Sequence, residues 1–258
     1  HGEFKGDSRF LVYPSTTEEQ LKELICQAVE KAKLISNRFY TLPEKEEGEY
    51  QVPSNFEGED LSALCQKIAG CVFAAEKPAG SALNSVEVFV SRIEHTVSNS
   101  LGLTKKQTYY KAMVEAIPTF NGEKQSVELY QQYSFNRFDE RVIIEEIREK
   151  LQEVKARYEA ITPESIPECK VILNKLELSE LFSSITGDLN FATVYGKANL
   201  FAKDQPVQKD PQGDKLQITM AGNYPGSVSG RMFDGDGMAL TDTVVVRDGV
   251  AVNYYGAN

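Results

Sequence analysis

Ser229-Gly-Arg-Met-Phe-Asp-Gly-Asp-Gly237, followed by Thr241-Asp-Thr-Val-Val-Val-Arg-Asp-Gly249, reads as a Gly/Asp-rich loop entering a β-hairpin. Asp accepts backbone N–H bonds in tight turns and Gly takes positive φ, so the two residue types cluster where the chain reverses. Working outward, Leu216–Met220 is an expected strand and Lys209–Gly213 a loop. Leu176 to about Val194 has helical spacing, weakened at Gly187. Cys169-Lys-Val-Ile-Leu173 is a buried-strand candidate. Thr162-Pro-Glu-Ser-Ile-Pro167, with a proline near each end, marks the domain boundary, giving domains at 1–161 and 168–258.

The first domain alternates helical and strand signals. Ser15-Thr-Thr-Glu-Glu19 is a helix start, and the apolar stripe from Leu21 to Ala32 predicts a helix to about Asn37. Tyr40–Pro53 reads as a polar loop broken by two prolines. Glu59 or Asp60 opens a second helix with Leu61, Leu64, Ile68 and Val72 inward. From Ser85 the period falls to two, and the run ends in a turn over His95–Gly102. A strand over Gln107–Ile117 follows. Asn121-Gly122 predicts a two-residue hairpin with both central φ positive, and Val127–Phe135 returns as a single strand. Asp139 caps a long helix to about Ala160. The fold class is α+β: N-terminal helices packed on an antiparallel sheet, followed by a β-rich C-terminal domain that is incomplete here.

Of the 258 residues, 41% are hydrophobic and 26% charged, an ordinary globular balance. The net charge of −10 argues against direct nucleic-acid binding, which needs a basic face. No apolar run approaches the roughly 20 residues that span a bilayer, and no leader is visible. Cys26, Cys65 and Cys71 lie in helix-like apolar patterns and read as buried free thiols; with Cys169 they never form C-x-x-C. This fits a reducing cytoplasm.

The Phe233-Asp-Gly-Asp-Gly237 segment resembles the Phe-Asp-x-Glu-Gly element of the TldD/PmbA family, the "modulator of DNA gyrase" relatives of metallopeptidases. Val97-Ser-Asn-Ser-Leu-Gly102 is similar to the family's turn after a strand. The resemblance makes Asn99, Ser100, Gly102, Phe233, Asp234, Asp236 and Gly237 a structural family motif. It also implies family segments before His1 and after Asn258, with Val252–Asn258 stopping in mid-strand. The catalytic branch carries His-Glu-x-x-x-His on the helix after the Cys169–Leu173-like strand. Imidazoles one helical turn apart share a face and bind one Zn²⁺, while a Glu beside the first activates the metal-bound water. Here that helix reads Glu177-Leu-Ser-Glu-Leu-Phe-Ser-Ser-Ile-Thr-Gly-Asp-Leu-Asn190, without histidine, and the chain holds only His1 and His95. The resemblance therefore points to the PmbA (TldE-like) branch. It implies a dimer, with a TldD-like catalytic subunit or a second copy, that degrades peptides or unfolded proteins. No cofactor is expected in this chain, and zinc is expected on the partner. Two alternatives stay open: a self-sufficient metallopeptidase with ligands outside this chain, and a non-catalytic peptide-binding or gyrase-modulating protein.

Other candidates are weighed against structural roles. His95 is a possible ligand or base, but a lone His near a strand end more often satisfies local bonds. Asp234 and Asp236 echo a calcium loop but lack its closing bidentate Glu. Glu177, Glu180 and Asp188 form a weak oxygen-only set on a charged helix face. Ser183 and Ser184 lack a nearby His and a nucleophile elbow, and Gly226–Gly230 lacks the Lys of a phosphate loop. Tyr109, Tyr110, Tyr130, Tyr133 and Phe135 read as cross-strand packing rather than a stacking platform.

Overall fold

The computed structural model describes residues 6, 8–35, 41–165 and 168–256, in two compact units, His1–Glu44 and Lys45–Asn258. The first unit carries helix α1, Glu18–Ala32. Thr17 caps it reciprocally: its hydroxyl accepts from Gln20 N, and Gln20 Oε1 accepts from Thr17 N at 2.9 Å. The helix ends at Ala32, short of the expected Asn37, which lies outside the described residues, as does His1. Cys26 is exposed rather than buried, because it falls off the Leu21–Leu24–Ala28 stripe.

The second unit runs β1 (Glu47–Gln51), α2 (Leu61–Ala74), β2 (Ser81–Ser98), β3 (Thr104–Asn121), β4 (Ser126–Glu128), β5 (Gln131–Phe135) and α3 (Glu140–Glu159). It continues with α4 (Lys175–Asp188), α5 (Phe191–Tyr195), β6 (Ile218–Met220), β7 (Thr243–Arg247) and β8 (Val250–Ala251). The architecture is α+β, with a mixed five-stranded sheet and a small antiparallel one. β3 is the central strand of the large sheet. β2 pairs along one side, while β1, β5 and β4 share the other side end to end.

The large sheet is not purely antiparallel. β1 lies inside the expected polar loop and runs parallel to β3, from Glu47 beside Thr104 to Gln51 beside Thr108. Its polarity gives no strand signal: the burial of this strand alternates weakly, and what orders it is the ladder on β3 rather than a core-facing apolar run. β2 and β3 are also longer than their apolar stretches, so His95 lies within a strand and not in a turn.

The Asn121-Gly122 turn differs as well. Neither residue takes a positive φ. Asn121 pairs with Ser126, and a four-residue loop is closed by Gly122 N to Gln125 O at 3.1 Å. A Cβ there would lie 2.0 Å from the Tyr158 ring, so a side chain at this position requires that ring to shift. The returning strand is split into β4 and β5. The hairpin at Asp248-Gly249 does have the expected form: φ is 51° and 78°, and Arg247 pairs with Val250.

Two faces of β3 are buried at its two ends. Tyr110, Ala112, Val114 and Ala116 pack against Leu64, Ile68, Cys71 and Val72 of α2 and Ile143, Ile147 and Leu151 of α3. Each large aliphatic side chain buried there contributes about 1.5–3 kcal/mol. Asp60 caps α2 through Ser62 N and Ala63 N, and Asp139 caps α3 through Arg141 N. Burial in this layer pushes the Cys71 thiol up from its ordinary value. On the opposite face, Lys105 and Gln107 are buried under the chain around 232–237.

A second core joins Leu189, Val245, Val246 and Ala251 between α4 and the small sheet. The expected strand at Cys169–Leu173 does not form: Val171 is 76% and Ile172 95% exposed, and no described strand offers them an edge. After Ala251 the strand ends, with Tyr255 bridging to Asn190. No helix among the described residues is long and apolar enough to cross a membrane.

Candidate functional site

The two sequence motifs meet at the start of β3. In the first, Asn99 Oδ1 accepts from Leu101 N at 2.9 Å and Leu103 N at 3.1 Å, while Gly102 takes φ 91°. That turn, with Ser100 exposed at its tip, aims Leu103 into the interior, where it is buried. In the second, Asp234 Oδ1 accepts from Asp236 N at 3.0 Å and Met238 N at 2.9 Å, and Phe233 bridges to Ala239. Gly237, at φ 86°, lies against Leu103; a Cβ would fall 2.7 Å from Leu103 Cδ2. Asn99, Gly102, Phe233, Asp234 and Gly237 thus build one junction, and Asp236 is exposed beside it.

Lys105 and Gln107, which no sequence motif marks, fasten this junction. Lys105, its side chain only 4% exposed, donates from Nζ to Gly237 O at 3.0 Å and pairs with Glu46 at 2.7 Å. That hydrogen bond holds the Glu46 carboxyl below its ordinary value. Gln107, fully buried, donates to Phe233 O at 3.1 Å and accepts from Met232 N at 2.9 Å. Those two bonds orient its amide, so Nε2 also donates to His95 Nδ1 at 3.1 Å, which selects the imidazole tautomer protonated on Nε2. The Phe233 ring stacks on His95 at 5.7 Å and meets Tyr50 edge-on at 5.8 Å. Arg231 lies 3.5 Å from the centroid of the Tyr109 ring. The only available signal was period two: Lys105, Gln107 and Tyr109 share one face of β3, but polar alternation is read by default as a solvated face.

The arrangement fastens backbone and leaves little free for catalysis. His95 is tied to Gln107 and covered by Phe233, and Asp234 is occupied by its own turn. Ser183, Glu177 and Asp188 are likewise engaged in structure. Ser183 donates to Glu180 O at 2.7 Å, and Glu177 helps to cap α4 through Asn174 N. Asp188 accepts from Leu200 N and Phe201 N, one on each carboxylate oxygen. Among the described residues no three or more His, Cys, Asp or Glu side chains converge in a way that could hold a metal ion.

Residues 167–257 match the family model of the PmbA/TldA metallopeptidase C-terminal domain. No curated protein matches the chain. Among solved structures, TldE from Thermococcus kodakarensis is similar with 19% identity and a TM-score of 0.67, covering 92% of this chain and 54% of that one. A candidate modulator of DNA gyrase from Bacteroides thetaiotaomicron is 15% identical with a TM-score of 0.66, covering 96% of this chain and 59% of that one. A third, from Thermotoga maritima, is 14% identical with a TM-score of 0.55, covering 90% and 54%. At these identities the likeness is one of fold, and the chain spans a little over half the length of each structure.

Proposed function

We propose that this chain, whose residues 167–257 match the PmbA/TldA metallopeptidase C-terminal domain, belongs to the TldD/PmbA family and serves as the non-catalytic, PmbA-like subunit of a cytoplasmic peptide-degrading complex. One observation carries the reading. Helix α4, where the resemblance places the metal motif of the catalytic branch, has carboxylates and no imidazole, and its Asp188 is committed to backbone N–H groups. The hydrolytic zinc and its water are assigned to a TldD-like partner, and this chain to holding extended substrate near it. A fold neighbour bearing the name TldE is consistent with that division of labour.

The test is a peptide-cleavage assay on unstructured casein with this chain alone, a TldD-like metallopeptidase alone, and the two mixed, each with and without a chelator. Cleavage should be strongest in the mixture, require metal, and be absent from this chain alone. Chelator-sensitive cleavage by this chain alone would overturn the proposal.

A further inference from the structure

The second unit leaves one long strand edge open. β2 runs from Ser81 to Ser98, and among the described residues only β3 pairs with it. In such a strand alternate residues direct N–H and C=O away from the partner, a ready template for another extended chain. Two features interrupt the edge. A bulge lies between Leu83 and Val86, and Arg92 and Glu94 form an ion pair further along. Between them Val86-Glu-Val-Phe-Val-Ser91 has neither proline, nor bulge, nor lysine, and one of its carbonyls, Val88 O, accepts weakly from the Cys65 thiol at 3.4 Å.

The sheet face beside this edge is chemically specific. Val86, Val88 and Val90 turn toward the helices, so Glu87, Phe89 and Ser91 face the other way. Across β2 and β3, Glu87 lies opposite Glu115 and Phe89 opposite Met113. Phe89 is 47% exposed. Like charges directly opposite each other destabilise a sheet, and among the described residues no cation lies within ion-pair distance of either carboxylate. The hydrogen bond from Tyr130 to Glu115 raises the phenol's pKa, but it brings no positive charge.

We infer that the Val86–Ser91 edge of β2 binds an extended basic-apolar peptide as an added strand, a basic side chain beside Glu87 and Glu115 and an apolar one, two residues away, beside Phe89 and Met113. The spacing follows from strand geometry: side chains on one face recur every second residue, and neighbouring strands lie about 4.8 Å apart. A long basic side chain on the added strand therefore reaches the carboxylate pair while its neighbour covers the aromatic ring. A second copy of this chain is a poorer occupant, because it brings another Glu87–Glu115 pair to the same seam. This inference rests on the reading of the chain as a peptide-holding subunit and says where the peptide lies.

The probe is a fluorescein-labelled, end-blocked heptapeptide, Thr-Lys-Thr-Leu-Thr-Lys-Thr, read by anisotropy at low ionic strength against the whole chain. Its controls carry Glu for Lys, or N-methyl groups on alternate backbone amides. The basic peptide should bind at least tenfold more tightly than the acidic one, and N-methylation of the edge-facing amides should abolish binding. A Glu87→Gln/Glu115→Gln double variant should weaken binding at least tenfold without lowering the unfolding midpoint. Equal affinity for the acidic peptide, indifference to N-methylation, or no binding would overturn the inference. So would sedimentation showing the edge taken by a second copy. Loss of peptide binding with cleavage by the mixed subunits intact rejects only this inference. Binding as expected with no effect on cleavage rejects only the proposed function.

Discussion

Replacing Gln107 by Met tests whether the junction is held by its amide or merely fills space. The substitution roughly keeps volume and removes three hydrogen bonds: to Phe233 O, from Met232 N and to His95 Nδ1. Phe233 is buried, so its carbonyl loses its partner in a place water does not reach. A buried group left unsatisfied costs about 1–3 kcal/mol, and the half-buried Met232 N–H adds a similar or smaller amount. The expected loss is about 2–4 kcal/mol. With a urea m-value of about 3 kcal/mol/M for a chain of this size, the midpoint falls by about 1 M. Tyrosine fluorescence and circular dichroism follow the transition, since the chain has no tryptophan. Hydrogen exchange at the Met232 amide gives the local readout and should accelerate well beyond the change at Val114. A midpoint shift below about 0.2 M with unchanged exchange at Met232 would refute the argument that this amide fastens the two motifs.

Three further outcomes follow from the same geometry. Gly237→Ala should cost about 1–2 kcal/mol from the left-handed φ alone and lower the thermal midpoint by at least a few degrees, whereas Gly235→Ala, with open space around it and no positive φ, should be near neutral. Because Lys105 depresses the Glu46 carboxyl below 4.5, their pair supports the fold fully above that pH and less as pH falls through the lowered value; a wild-type minus Glu46→Gln difference in urea midpoint should shrink across that acidic window and stay flat above it. Glu87→Gln should raise stability by about 0.2–1 kcal/mol by relieving the pairing with Glu115, and an unchanged or lower midpoint would count against that repulsion.

The sequence by itself determined where α1, α2 and α3 begin and where the closing hairpin turns. Thr17, Asp60 and Asp139 are caps whose short polar side chains satisfy N–H groups only a few residues away, and Asp248-Gly249 is a turn set by two φ angles. Its residue types also argued that α4 holds no two-histidine metal site. Only the tertiary structure decided that β1 is a strand, that Cys169–Leu173 is not one, and that Gly122 lies against the Tyr158 ring with no positive φ. It alone placed Lys105 and Gln107, more than 120 residues away in sequence, under Phe233 and Gly237. A local signal involves neighbours along the chain and is written in it. A strand's partner, a buried amide and a glycine's clash depend on what folding brings alongside, and no window of sequence contains that.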